Sequence, residues 1–125
     1  MAARVRFNFE FVFKSSPTIV YQFISTADCL TRWFCDDCNV IDDVFYFDWD
    51  GAEEVAYIID DIEEERLRIQ WEEYDDEYLE YILGRSEVTS ATILEIHGFC
   101  EKHELNEEKR FWEAKIYDLR RAMGE

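Results

Sequence analysis

NEEKRFWEAKIYDLRRAMG, residues 106–124, decides the fold, because it is the run best able to form a long helix of roughly three to five turns. Trp112, Ile116, Leu119 and Met123 recur at spacings that put them on one face, and Phe111 and Ala122 widen that stripe. Asn106 is the expected N-cap. Glu107 and Glu108 suit the positive end of the helix dipole, Lys115, Arg120 and Arg121 the negative end, and Gly124 is the expected stop. An apolar stripe of this kind has to be buried. The residues before it read mostly as strands, so the helix is expected to lie across a sheet in a two-layer domain.

The strands are legible from period-two alternation. In residues 4–13, Val5, Phe7, Phe9, Phe11 and Phe13 share one side and Arg4, Arg6, Asn8 and Glu10 the other. Ser15 or Ser16 caps a short helix opened by Pro17, and a second short helix is expected from Ala27 to Trp33 or Phe34. Strands then follow at Cys38–Ile41 and Val44–Trp49, with Phe45, Phe47 and Trp49 inward. The next has Val55, Tyr57 and Ile59 alternating, and Leu67, Ile69 and Trp71 line the one after. Tyr78–Leu83 and about Ala91–Phe99 complete the set, the latter with Leu94 and Ile96 inward. Tight turns are expected at Asp42-Asp43 and Asp50-Gly51. Two acidic turns, Asp60–Glu65 and Glu72–Glu77, are expected to be fully solvated. An antiparallel meander is the simplest topology for such a series.

Composition sets the outer limits. A chain of 125 residues, 48% hydrophobic and 34% charged, is expected to form one folded domain over residues 1–125. The net charge of −17 repels phosphate backbones and argues against a nucleic-acid partner. It suits a basic protein partner, or serves solubility alone. No apolar run approaches the roughly 20 residues that span a bilayer, so no membrane insertion is expected. Without a basic-then-apolar leader at the start, the expected location is cytoplasmic.

The reactive residue types give no reaction. Cys35-Asp-Asp-Cys38 has the spacing of half a zinc knuckle or of a redox pair, and Cys100 with His97 could complete a site only if the fold brought them together. The intervening aspartates disfavour a thiolate, so the cysteines read as ordinary reduced thiols. His97 has no motif around Ser90 or Cys100 that would make it a catalytic base, and His103 sits in a polar connector. Glu80 and Glu95 interrupt strands but read as solvent-face residues. Four scattered glycines form no phosphate loop. No catalytic residue, metal ligand or cofactor is assigned.

Aromatics are the more informative class, at 17% of the chain. Phe9, Phe11, Trp33, Phe34, Phe47 and Trp49 are expected to face the space between sheet and helix. So are Tyr57, Trp71, Tyr81 and Phe99, with Trp112, Ile116 and Leu119 closing that space from the helix. The same residues suit a filled core or the wall of a cavity for an apolar ligand.

Certain pieces, in their order, resemble a known family. They are Phe13-Lys14-Ser15-Ser16-Pro17 followed by Val20-Tyr21, then Cys29-Leu30-Thr31-Arg32-Trp33-Phe34. Leu94-Glu95-Ile96-His97-Gly98-Phe99 and the helix bearing Trp112 complete the series. Together they resemble the START-like (SRPBCC) superfamily, and within it the homologues of the heat-shock-ATPase activator. The resemblance covers nearly the whole chain. It implies an α+β helix-grip fold: a curved antiparallel sheet of six to seven strands around the C-terminal helix, with two short helices after strand 1. It also implies either a small hydrophobic or amphipathic ligand held between sheet and helix, or a protein partner or homodimer in a chaperone-adaptor-like role. The hairpin at Asp42-Asp43 lacks the glycine pair that many members carry, and the hairpins are short and sharply acidic, which speaks against a wide-mouthed lipid carrier. The branch has no shared catalytic residue that maps here, so a binding module is expected rather than an enzyme.

Overall fold

The computed structural model describes residues 3–74 and 76–125, which leaves out the first two residues and Asp75 of the second acidic turn. The chain begins with β1 (Arg4–Phe13), α1 (Pro17–Ser25) and α2 (Ala27–Leu30). A meander comes next: β2 (Asp37–Ile41), β3 (Val44–Trp49), β4 (Ala52–Ile62), β5 (Arg66–Trp71), β6 (Tyr78–Arg85) and β7 (Thr92–Glu101). A 3₁₀ turn, Lys102–Glu104, leads into α3 (Leu105–Met123). Among the described residues the strands form one antiparallel sheet in the order β1-β7-β6-β5-β4-β3-β2. Thus α1 and α2 carry the chain from one edge of the sheet to the other, and the meander walks back until β7 pairs with β1. The curved sheet with α3 against its inner face is the helix-grip arrangement.

Local chemistry explains the corners. Pro17 opens α1, and the Ser16 hydroxyl accepts from Ile19 N at 3.3 Å. Both expected two-residue turns are present, with Asp42 and Asp43 at φ 50° and 63° and Asp50 and Gly51 at 53° and 88°. Positive φ at both positions matches the right-handed twist of the flanking strands.

Three differences from the expected boundaries, and one in burial, stand out. α2 stops at Leu30, because the Leu30 carbonyl collects the N–H groups of Trp33, Phe34 and Cys35 and the chain tightens into turns. α3 starts one residue before Asn106, straight from the 3₁₀ turn, so Asn106 is inside the first turn and caps nothing. β4 runs on to Ile62, past an irregularity between Ile58 and Asp60, leaving only Glu63–Glu65 as the turn. Its acids are engaged rather than merely wet: Asp60 pairs with Arg66 at 2.8 Å, and Asp61 and Glu64 accept from the α1 hydroxyls of Tyr21 and Thr18. Glu77, also expected in solvent, is buried against Arg4, whose Nε donates to it at 2.9 Å.

The core lies between α3 and the sheet's inner face. Phe45, Leu67, Ile69, Tyr81, Leu94 and Ile96 are at most 2% exposed, as are Ile116 and Leu119 above them. Full burial of each such side chain contributes about 1.5–3 kcal/mol. Gly124 ends α3 in the left-handed region at φ 82° and returns its N–H to the last carbonyls.

Candidate functional site

Toward the N-terminal half of α3 the two layers do not close. They leave an open-mouthed recess of about 210 Å³. Its helix wall is Phe111 and Trp112, with Glu108 one turn earlier. Trp49, Glu54 and Trp71 line it from β3, β4 and β5. Phe7, Leu79 and Gly98 line it from β1, β6 and β7, and Phe34 and Phe99 complete it. The rings meet at angles instead of interlocking. Phe34 lies edge-on to Trp49 (4.8 Å, 74°) and near-parallel to Trp112 at 5.9 Å, a separation wider than close stacking.

One close approach sets the floor. Phe7 is the cross-strand partner of Gly98, and a β-carbon on Gly98 would stand 2.5 Å from Phe7 Cζ. Only a residue without a side chain lets the Phe7 ring fold down there, where it stacks on Phe9 at 4.8 Å.

The titratable groups among the described lining residues are two carboxyls, Glu54 and Glu108. Glu54 stands at the exposed rim. Lost hydration, and secondarily the charge of Glu73, lifts its carboxyl above the ordinary range. Lost hydration likewise lifts Glu108. The bond it accepts from Trp112 Nε1, at 3.2 Å, opposes the shift, Glu104 adds to it and Arg4 offsets it. Lys115 places its ammonium 5.4 Å from the Trp49 ring centre and 5.6 Å from that of Phe111. Trp49 Nε1 is buried without a protein acceptor.

Of the residues expected in a cavity wall, Phe34, Trp49, Trp71, Phe99 and Trp112 line this recess. Trp33, Phe47, Tyr81, Ile116 and Leu119 are core residues, Trp33 fixed by its indole bond to the Phe23 carbonyl at 2.8 Å. Phe9 and Phe11 pack, partly buried, against the core. Tyr57 has to be corrected: it stands on the outer face, 40% exposed. The two-residue turn at Asp50-Gly51 pairs Trp49 with Ala52, hence Phe47 with Glu54 and Phe45 with Ala56, so β4 turns Glu54 and Ala56 inward and Val55 and Tyr57 outward. Phe7, Glu54, Leu79, Gly98, Glu108 and Phe111 were not among the residues expected in a cavity wall. For Glu54 the turn length held the signal, and for Glu108 the four-residue step from Trp112.

The other candidates do not converge. Cys35 and Cys38 are buried beside β2, and four strands separate β2 from the β7 that carries His97 and Cys100. Contact with Cys38, then burial, pushes the Cys35 thiol up and keeps it protonated. His97 is buried on the outer face, its Nδ1 3.0 Å from Arg6 Nη2. A guanidinium only donates, so Nδ1 accepts and the ring proton sits on Nε2, 3.4 Å from Glu95. Glu80, 2% exposed on the same face, accepts from Arg68 Nε at 2.7 Å. His103 is on the surface, 3.4 Å from Glu101. No helix among the described residues is long and apolar enough to cross a membrane.

Solved structures share this architecture. The chain is similar to BfR322 from Bacteroides fragilis, with 26% identity, a TM-score of 0.69, and 100% of this chain and 94% of that one covered. It resembles the Aha1 dimer from Colwellia psychrerythraea at 20% identity and TM-score 0.76, with 92% of each chain covered. It also resembles DynU16, from the dynemicin biosynthetic locus, at 15% identity and TM-score 0.79, over 94% of this chain and 46% of that one. The last two, at such identities, attest the fold alone. No curated protein sequence is similar enough to count as a relative. The START-like superfamily domain matches residues 1–125 in full, and with the helix gripped by its sheet, the chain belongs to the START-like superfamily.

Proposed function

We propose that this protein is a binding module that holds a small hydrophobic or amphipathic ligand between the sheet and the N-terminal half of α3, and performs no chemistry on it. The recess of about 210 Å³ carries the reading. It exceeds the roughly 150 Å³ that accommodates benzene and falls short of the roughly 300 Å³ at which drug-sized pockets begin, so its guest is about one ring with a short arm. Titration with benzyl alcohol, followed by indole N–H resonances, tests it. Trp49, Trp71 and Trp112 should move while Trp33, bonded to Phe23, stays still. Four unmoved indoles would remove the reading.

A second reading has its own observation. On the outer face Ile41, Tyr57 and Ile59 are 57%, 40% and 51% exposed, beside the edge strand β2. Val44 joins Ile41 to Tyr57 across the ladder. Such a patch suits self-association through β2 edges. Sedimentation over a hundredfold concentration range decides this: a constant monomer mass removes it.

A further inference from the structure

Aromatic walls of a recess can serve a neutral, an anionic or a cationic guest equally well as surface, so the ligand's charge has to come from other features. Four features of this recess agree. Its described lining carries two carboxyls and no Lys, Arg or His. Among the described residues neither carboxyl makes an ion pair: lost hydration lifts both, with Glu73 adding to the effect on Glu54 and Glu104 to that on Glu108, which Arg4 offsets. Phe7, Phe34, Trp49, Trp71, Phe111 and Trp112 supply aromatic rings, the side-chain class whose negative quadrupole attracts a cation. The chain demonstrates this use itself, since the Lys115 ammonium stands over two of the rim rings, within 6 Å of both centres. The overall charge of −17 raises the local concentration of cations around the mouth and lowers that of anions.

We infer that the recess selects a small organic cation, an alkylated or aryl-alkyl ammonium, held by the Trp and Phe faces with Glu54 and Glu108 as its counter-charges. This rests on the ligand-binding reading above and adds charge selectivity to it. A fatty acid or other carboxylate is the wrong guest, because its head would meet two like charges at close quarters. A neutral guest gains the apolar contact and leaves both carboxyls uncompensated.

Three benzyl probes separate the possibilities: benzyltrimethylammonium, its neutral carbon isostere neopentylbenzene, and phenylacetate, an anion with a smaller, planar head. Binding is read by the Trp49, Trp71 and Trp112 indole resonances at low salt. The ammonium should bind at least tenfold more tightly than the neutral isostere, and phenylacetate more weakly than either. E54Q and E108Q should each weaken ammonium binding about three- to tenfold and should not weaken that of neopentylbenzene. Glu54 stands at the exposed rim, and an amide oxygen at position 108 can still accept from Trp112 Nε1, so neither variant threatens folding. Equal binding of ammonium and isostere, or ammonium affinity indifferent to both Gln variants, overturns the cation inference while the ligand-binding reading stands. Failure of all three probes to move any of these indoles overturns both.

Discussion

The two ends of α3 meet the same sheet in different ways. At its C-terminal end Leu119 is fully buried, and Phe13, Val20, Ile24 and Leu94 are at most 1% exposed. Polar clamps hold that end as well. The Glu125 carboxylate accepts from the backbone N–H groups of Lys14 and Ser15 at 3.0 and 2.9 Å, and Arg120 donates to the Val12 carbonyl at 2.6 Å. At the N-terminal end Trp112 and Phe111 stand over planar rings, and 210 Å³ stays open. Branched aliphatic side chains interdigitate and fill space. Planar rings fixed on a ladder tile it, and gaps remain where their edges meet. One end is therefore closed by packing, and the other leaves a recess open.

The largest test of this contrast is Leu119→Ala. It empties a fully buried site in a tightly packed region and should cost about 3 kcal/mol, read by urea denaturation. A loss below about 1 kcal/mol would mean that the closed end is not closed. Gly98→Ala comes next and acts at the open end. The new methyl must displace the Phe7 ring, which costs about 1–3 kcal/mol and reshapes the recess floor. Unchanged stability, with unchanged ring-current shifts around Phe7, would show the floor to be soft.

The sequence carried the closed end more plainly than the open one. Ile116 and Leu119 declare their burial through spacing alone, and Phe13-Lys14-Ser15-Ser16-Pro17 declares its corner through proline and serine chemistry. The recess was half legible. Its large rings were named, but pocket and core draw on the same residue types, and only geometry separates Trp71 at the wall from Tyr81 in the interior. β4 was misphased because Val55, Tyr57 and Ile59 on one side compete with Ala56 and Ile58 on the other. Burial then followed the register imposed by the turn, not the larger side chains. Glu77 and Asp61 were hidden for a different reason. Their partners, Arg4 and Tyr21, lie far away in sequence.

The clamp on the closed end is a smaller effect. Glu125→Ala removes the acceptor for two backbone N–H groups and the Ser15 hydroxyl, and should cost about 1 kcal/mol. No loss on urea denaturation would mean that water replaces the carboxylate.

The smallest effect is a difference in the sign of pH dependence at the two ends. The bonds from Lys14 and Ser15, with Arg120 nearby, hold the Glu125 carboxyl below its ordinary 4.5, against the upward push of its own burial. Its stabilisation is therefore complete above that ordinary value and is lost as pH falls through the depressed one. Glu108 runs the other way. Lost hydration, opposed by the Trp112 bond and by Arg4 and helped by Glu104, makes it bind its proton more tightly folded than unfolded, so its burden is present at neutral pH and is relieved as pH falls through the raised value. Glu108→Gln should accordingly be slightly more stable than the parent at pH 7, with the gap closing on acidification. Glu125→Gln should be less stable at pH 7, with its gap also closing, but lower on the pH scale. Paired urea titrations from pH 7 to 3 measure both. Gaps of the same sign in the two variants would show that the ends of α3 are electrostatically alike, and that the open end holds no uncompensated charge for a cation to meet.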